Sequence, residues 1–151
     1  MSALETDILS DLIGRKRSCL AQLRAIGERQ LDLVRQGSMT DLLELLAVKQ
    51  HVLVQLQQVE RELDRFRGEA PEKRHWRSPE GRRECAARLA ECEALLAQIM
   101  AQERQSEQEL TRRRDEAAAR LEEVHTASQA RGAYLAGPRS AVVQLDLISD
   151  T

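Results

Sequence analysis

Leu45, Val52, Val59 and Phe66 stand at strict seven-residue intervals in the second quarter of the chain, with Leu42, Leu56 and Leu63 running beside them. Seven residues make almost two whole helical turns, so this spacing lays one apolar stripe along a helix. A helix of this kind owes its stability to burying its stripe on a neighbour, and similar stripes occupy the segments on either side. The expected fold class is therefore all-α: an elongated antiparallel helical bundle or coiled coil of three long helices with an irregular C-terminal tail. Any function has to work through those helices and whatever escapes them.

The composition agrees with a thin core. Among 151 residues there is one Trp, one Tyr and one Phe, and 32% are charged, so Leu, Ile, Val and Ala must make the seams. The formal net charge of -2 offers no general attraction to nucleic acid or to an anionic membrane. No apolar stretch approaches the ~20 residues that span a bilayer, and Glu5 and Asp7 precede any basic residue, the wrong polarity for a signal peptide. A cytoplasmic protein is expected. Cys19, Cys85 and Cys92 are an odd count lying on apolar seams, with no zinc-site spacing around them; they read as small buried hydrophobes in a reducing compartment.

Helix one is expected over residues 3–35, where Leu12, Cys19, Ile26 and Leu33 are spaced by seven and Leu9, Ile13, Leu20, Leu23 and Val34 broaden the stripe. Gly14 and Gly27 each weaken it by ~1 kcal/mol and mark places where another helix comes close or where the cost is simply tolerated. Gly37 suits the left-handed residue after a helix, and Ser38 or Thr40 can cap the next, predicted over residues 39–67. The run GEAPEKRHWRS from Gly68 ends that helix. Ser78-Pro79-Glu80 then opens helix three with a hydroxyl cap, a proline whose missing amide costs nothing and an acid at the positive end of the dipole.

Helix three is expected over residues 79–131, with a seam at Cys85, Leu89, Cys92, Leu95, Leu96 and Ile99 and a weaker one resuming at Ala117, Leu121 and Val124. Gly132 should stop it and Gly137-Pro138 should prevent a restart, dividing the chain into a bundle over residues 1–132 and a tail over residues 133–151. In that tail Val143, Leu145 and Leu147 alternate with polar residues, which suits an extended segment able to lie in a groove, with a short helix or disorder as the alternatives.

Nothing points to catalysis. His51, His75 and His125 sit in separate segments without metal-ligand neighbours, and no nucleophile motif or phosphate loop is present, so no cofactor and no small-molecule substrate are expected. Between Arg65 and Arg83 seven basic residues face three acids around Trp76, a pattern that can grip single-stranded nucleic acid. The plainer reading has Trp76 folding back over the end of the bundle. Arg112, Arg113 and Arg114 are flanked by acids one turn away and read as a solvated face. A helix near 50 residues cannot be covered by partners of about 30, so the uncovered distal face of helix three is the expected partner site: Leu110, Ala117, Leu121 and Val124, with Tyr134 and Leu135 at its end.

Two stretches carry a family likeness: the hairpin RQGSMTDLLELLAVKQHVLVQLQQVERE from Arg35, and the ending GAYLAGPR from Gly132. With them the chain resembles the FlgN-like flagellar export chaperones and the related FliT group. The resemblance implies an ATP-independent cytoplasmic chaperone that binds the terminal helices of flagellar hook-filament junction proteins and delivers them to the type III export apparatus. The basic arm around Trp76 and the alternating tail have no counterpart in that pattern. Two other classes remain as alternatives: a coiled-coil scaffold that self-associates as a homo-oligomer, and, behind it, a nucleic-acid-binding helical module.

Overall fold

The computed structural model describes the backbone of residues 4–149 and the side chains as far as residue 136. Three long helices follow one another: α1 (Glu5–Gln36), α2 (Met39–Leu63) and α3 (Pro79–Ser149), with short 3₁₀ turns at Asp64–Phe66 and Pro71–Lys73 between the last two. The chain divides into two units, Met1–Glu109 and Leu110–Thr151.

Gly37 ends α1 because it can take the left-handed conformation, φ 74° and ψ 21°, without a Cβ penalty. In that position its amide donates to the Val34 carbonyl and the Ser38 amide to the Leu33 carbonyl, which satisfies two acceptors the helix leaves open. Ser38 precedes α2, but its hydroxyl makes no capping bond, contrary to the expected cap. The chain reverses within two residues, so α1 and α2 pack antiparallel. Arg65 reaches Glu5, Glu62 reaches Arg15, Glu60 reaches Lys16 and Lys49 reaches Gln30, so the pairing partner falls along α2 as the number rises along α1.

Ser78 opens α3 as expected: its Oγ accepts the Gly81 amide at 3.0 Å, with Pro79 at the first helical position. Within the first unit α3 runs parallel to α1. Thr6 donates to the His75 carbonyl, Arg17 pairs with Glu91, and Gln102 Nε2 donates to the Arg24 carbonyl. The last contact depends on Gly27, because a Cβ there would lie 2.3 Å from Gln102 Oε1. Gly14 has no such neighbour, the nearest atom being an Arg88 nitrogen at 3.9 Å.

The main core gathers Leu9, Leu12, Leu20, Leu23, Val52, Val59, Phe66, Cys85 and Cys92, with Leu56, Leu95 and Ile99 packed against it; a second cluster, Leu33, Val34 and Leu42 with Leu45, closes the hairpin end. Between them lies a polar layer. Gln30 is buried, Lys49 Nζ donates to its Oε1 at 3.0 Å and pairs with Glu103 of α3, and the Ser106 hydroxyl is enclosed without a hydrogen-bond partner. One polar layer in an apolar seam fixes register, since sliding any helix strands these groups against leucine.

Two expectations for α3 are corrected. Its seam is Cys85, Cys92, Leu95 and Ile99 continued by Gln102 and Ser106, whereas Leu89 and Leu96 are 42% and 45% exposed. All six apolar positions share one side of the helix, but the contact strip is narrower than that side, and Leu89 and Leu96 fall on its margin. The expected stop at Gly132 and the irregular tail are also overturned, because α3 continues through Gly132 and Gly137-Pro138 to Ser149. Among the described residues Gly37 is the one glycine with positive φ. Glycine and proline inside a helix cost about 1 and 3 kcal/mol, but they end it only when a left-handed residue or a competing partner captures its last carbonyls. The side chains of the tail, on which its groove-filling role rests, lie outside the described residues.

Candidate helix-binding groove

On the margin of α3, Leu89 lines a cleft with Leu9 and Ile13 of α1 and with Pro71, Arg74 and Trp76 of the arm, while Leu96 lies one heptad further along. Leu89, Leu96 and Glu103 are spaced by seven and so share one row, and Glu103 is the residue that reaches Lys49 of α2. On α2, Leu46 and Leu53 stand three and four positions from Lys49, the residue that reaches Glu103, in a row with Glu60, which pairs with Lys16 of α1. The two rows therefore border the same α2–α3 seam. Close backbone approach is concentrated between α1 and α2, and α3 comes as close to neither of them. Leu46, Leu96 and Met100 are exposed along the α2–α3 seam, as is Leu43 on the outer edge of α2, while Leu53 is partly buried against the core. Exposed apolar side chains of both helices thus flank one seam, which is a candidate groove for a further helix.

In the second unit every described side chain from Ala117 to Ala136 is exposed. Leu110, Ala117, Leu121, Val124 and Leu135 fall within roughly 60° of one another around the helix axis, and Tyr134 is turned about 100° away. Leu121 and Leu135 are each 71% exposed. The structure thus groups five of the six predicted partner-site residues into one stripe and separates the sixth. The flanking charges are largely satisfied locally, since Arg112 and Arg120 pair with Glu116 and Arg114 with Asp115.

The basic arm is folded into the base of the first unit. Arg65 pairs with Glu5, Arg67 with Asp64 and Glu60, Arg74 with Glu69 and the Phe66 carbonyl, and Arg77 with Asp7, while Trp76 is half-buried against the main core. A stacking platform needs a free aromatic face and free cations, and this arm has committed most of both. A cleft of about 410 Å³ beside it has Leu4, Leu9, Phe66 and Ala70 within and Glu5, Glu69, Lys73 and Arg74 also lining it. Its lining charges balance and impose no ligand sign.

The three thiols are free and buried, and burial pushes each above the ordinary cysteine value, opposed by Arg15 at Cys19, by a hydrogen bond with Ser10 and then Arg88 and Arg74 at Cys85, and by Lys16 and Arg17 at Cys92. Among the described residues no group of His, Cys, Asp or Glu could hold a metal ion, and no helix is long and apolar enough to cross a membrane.

Sequence reasoning missed the groove because it assigned Leu96 to the buried seam. The signal available was the excess width of the apolar stripe on α3 over what one neighbour covers. Comparison with family profiles, curated proteins and solved structures finds no match to this chain.

Proposed function

We propose that this protein holds an amphipathic helix of another protein, shielding its apolar face from solvent until delivery. The observation that carries the reading is the row of exposed leucines on both walls of the α2–α3 seam: a helix laid there would bury apolar side chains on three sides and complete a four-helix arrangement. The resemblance to FlgN-like proteins names the client class as the terminal helices of flagellar hook-filament junction proteins, held in the cytoplasm for the type III export apparatus. The exposed stripe of the second unit is a second place for client contact, and it is also the observation that favours the alternative, a self-associating scaffold.

Binding of junction-protein terminal peptides to the full chain tests the reading, with Leu96→Asp and Leu121→Asp as the two site variants. A client in the groove loses affinity with Leu96→Asp, and a client on the distal stripe loses it with Leu121→Asp. Peptides that bind neither wild type nor variants, together with a chain that sediments as an oligomer, would replace the chaperone reading with the scaffold.

A further inference from the structure

The groove has a charge pattern as well as an apolar floor. On α3 a second row, Glu93, Met100 and Glu107, again spaced by seven, runs just outside the leucine row. Glu93 and Glu107 are exposed, and neither makes an ion pair among the described residues. They stand fourteen positions apart, roughly 21 Å along the helix. The facing edge of α2 offers Leu43, Gln50 and Gln57, which are neutral, and the one cation at the groove floor, Lys49, is already engaged by Glu103 and Gln30. An occupant of this groove therefore meets Glu93 and Glu107 along one flank, with Arg104 one turn before Glu107 on the outer side.

We infer that the α2–α3 groove selects an amphipathic partner helix carrying Lys or Arg along the flank that faces α3. The inference rests on the reading of the groove as a helix-binding site and adds the chemistry of what it accepts. A helix with acidic flanks would place like charges beside Glu93 and Glu107, so the carboxylates both attract the right partner and reject the wrong one. A cation at each end of a four-turn stretch also sets which way round and in which register the helix lies.

Two synthetic amphipathic peptides of about 20 residues, long enough to reach both carboxylates, test this. They share one leucine face and differ only in carrying lysine or glutamate on the flanks. Fluorescence anisotropy on the full-length chain is expected to show the lysine peptide binding roughly tenfold tighter at low salt, the preference shrinking at high salt. The double variant Glu93→Lys, Glu107→Lys should reverse the preference; both positions are exposed, and circular dichroism checks that the fold is kept. Equal binding of the two peptides, or an unchanged preference in the double variant, overturns the charge selection. Leu96→Asp then separates the two levels of the argument. If it abolishes binding, the groove stands without its selectivity, and if it changes nothing, the groove reading fails. A wild-type chain that binds neither peptide but sediments as a dimer, and becomes monomeric with Leu96→Asp, would give the groove to a second copy and overturn the inference.

Discussion

Ser106 shows how much a single side chain can carry in a thin core. It is 2% exposed, and its hydroxyl finds no partner, so it bears a desolvation cost without a hydrogen bond to offset it. Ser106→Ala is expected to stabilise the first unit by about 1 kcal/mol in urea unfolding; a loss of stability would mean that the hydroxyl has a role the packing does not show. The two helical glycines differ for a related reason. Gly14→Ala should gain about 0.5–1 kcal/mol, since a methyl there makes only ordinary contact with the end of Arg88, whereas the methyl of Gly27→Ala must displace the end of Gln102 and break its bond to the Arg24 carbonyl, leaving little or no gain. Thermal melts of the pair should therefore rank Gly14→Ala above Gly27→Ala. The thiols give a pH dependence. Burial raises Cys19, Cys85 and Cys92 above the ordinary 9.0, so the folded state keeps these protons where the unfolded chain releases them. Their contribution is complete below that value and is lost as pH rises through the folded values. Stability measured on either side of pH 9 should fall with rising pH, and replacing all three by alanine should flatten the slope.

Among the elements, α1, α2 and the reversal between them were legible because each signal was backed by a second: heptad leucines by their neighbours, and Gly37 by the left-handed turn that only it could take cheaply. α3 was legible at its start, where Ser78 and Pro79 act through local geometry, and at Cys85, Cys92, Leu95 and Ile99 of its seam, and misread at Leu89, Leu96 and its expected stop. Its seam contains Gln102 and Ser106, which a count of apolar residues passes over, and its margin contains Leu89 and Leu96, which the same count includes. Periodicity reports the side of a helix; the neighbour decides how wide a strip of that side is covered. The consequence is a contrast between two leucines. Leu56 packs against the main core, and Leu56→Asp should cost about 3 kcal/mol or more by placing a carboxylate against apolar surface. Leu96 stands in the groove with nearly half its surface in water, and Leu96→Asp should cost under about 1 kcal/mol. Equal destabilisation in chemical denaturation would show that the groove is closed in solution.

At the scale of the molecule, the buried side chains among the described residues lie within the first unit, Ser106 being the last of them, while every described side chain from Ala117 to Ala136 is exposed. The two units should therefore respond differently to heat. A packed three-helix unit unfolds cooperatively, because its seams are lost together. A helix without packed neighbours is held by propensity and by pairs such as Arg112–Glu116, each contributing roughly 0.2–0.5 kcal/mol, and it melts gradually from its ends. Circular dichroism of the isolated full-length chain is expected to show a shallow, non-cooperative loss of ellipticity at low temperature, followed by one sharp transition. A chain ending at Glu109 should lose the shallow phase and keep the sharp one, with its midpoint moved by no more than the equivalent of about 1 kcal/mol, since none of the buried side chains among the described residues is removed. A single sharp transition in the full chain, lowered by the truncation and by dilution, would mean instead that the distal helix is packed in an assembly. That assembly would then compete directly with any client for the same apolar stripe, and adding a client peptide would dissociate it.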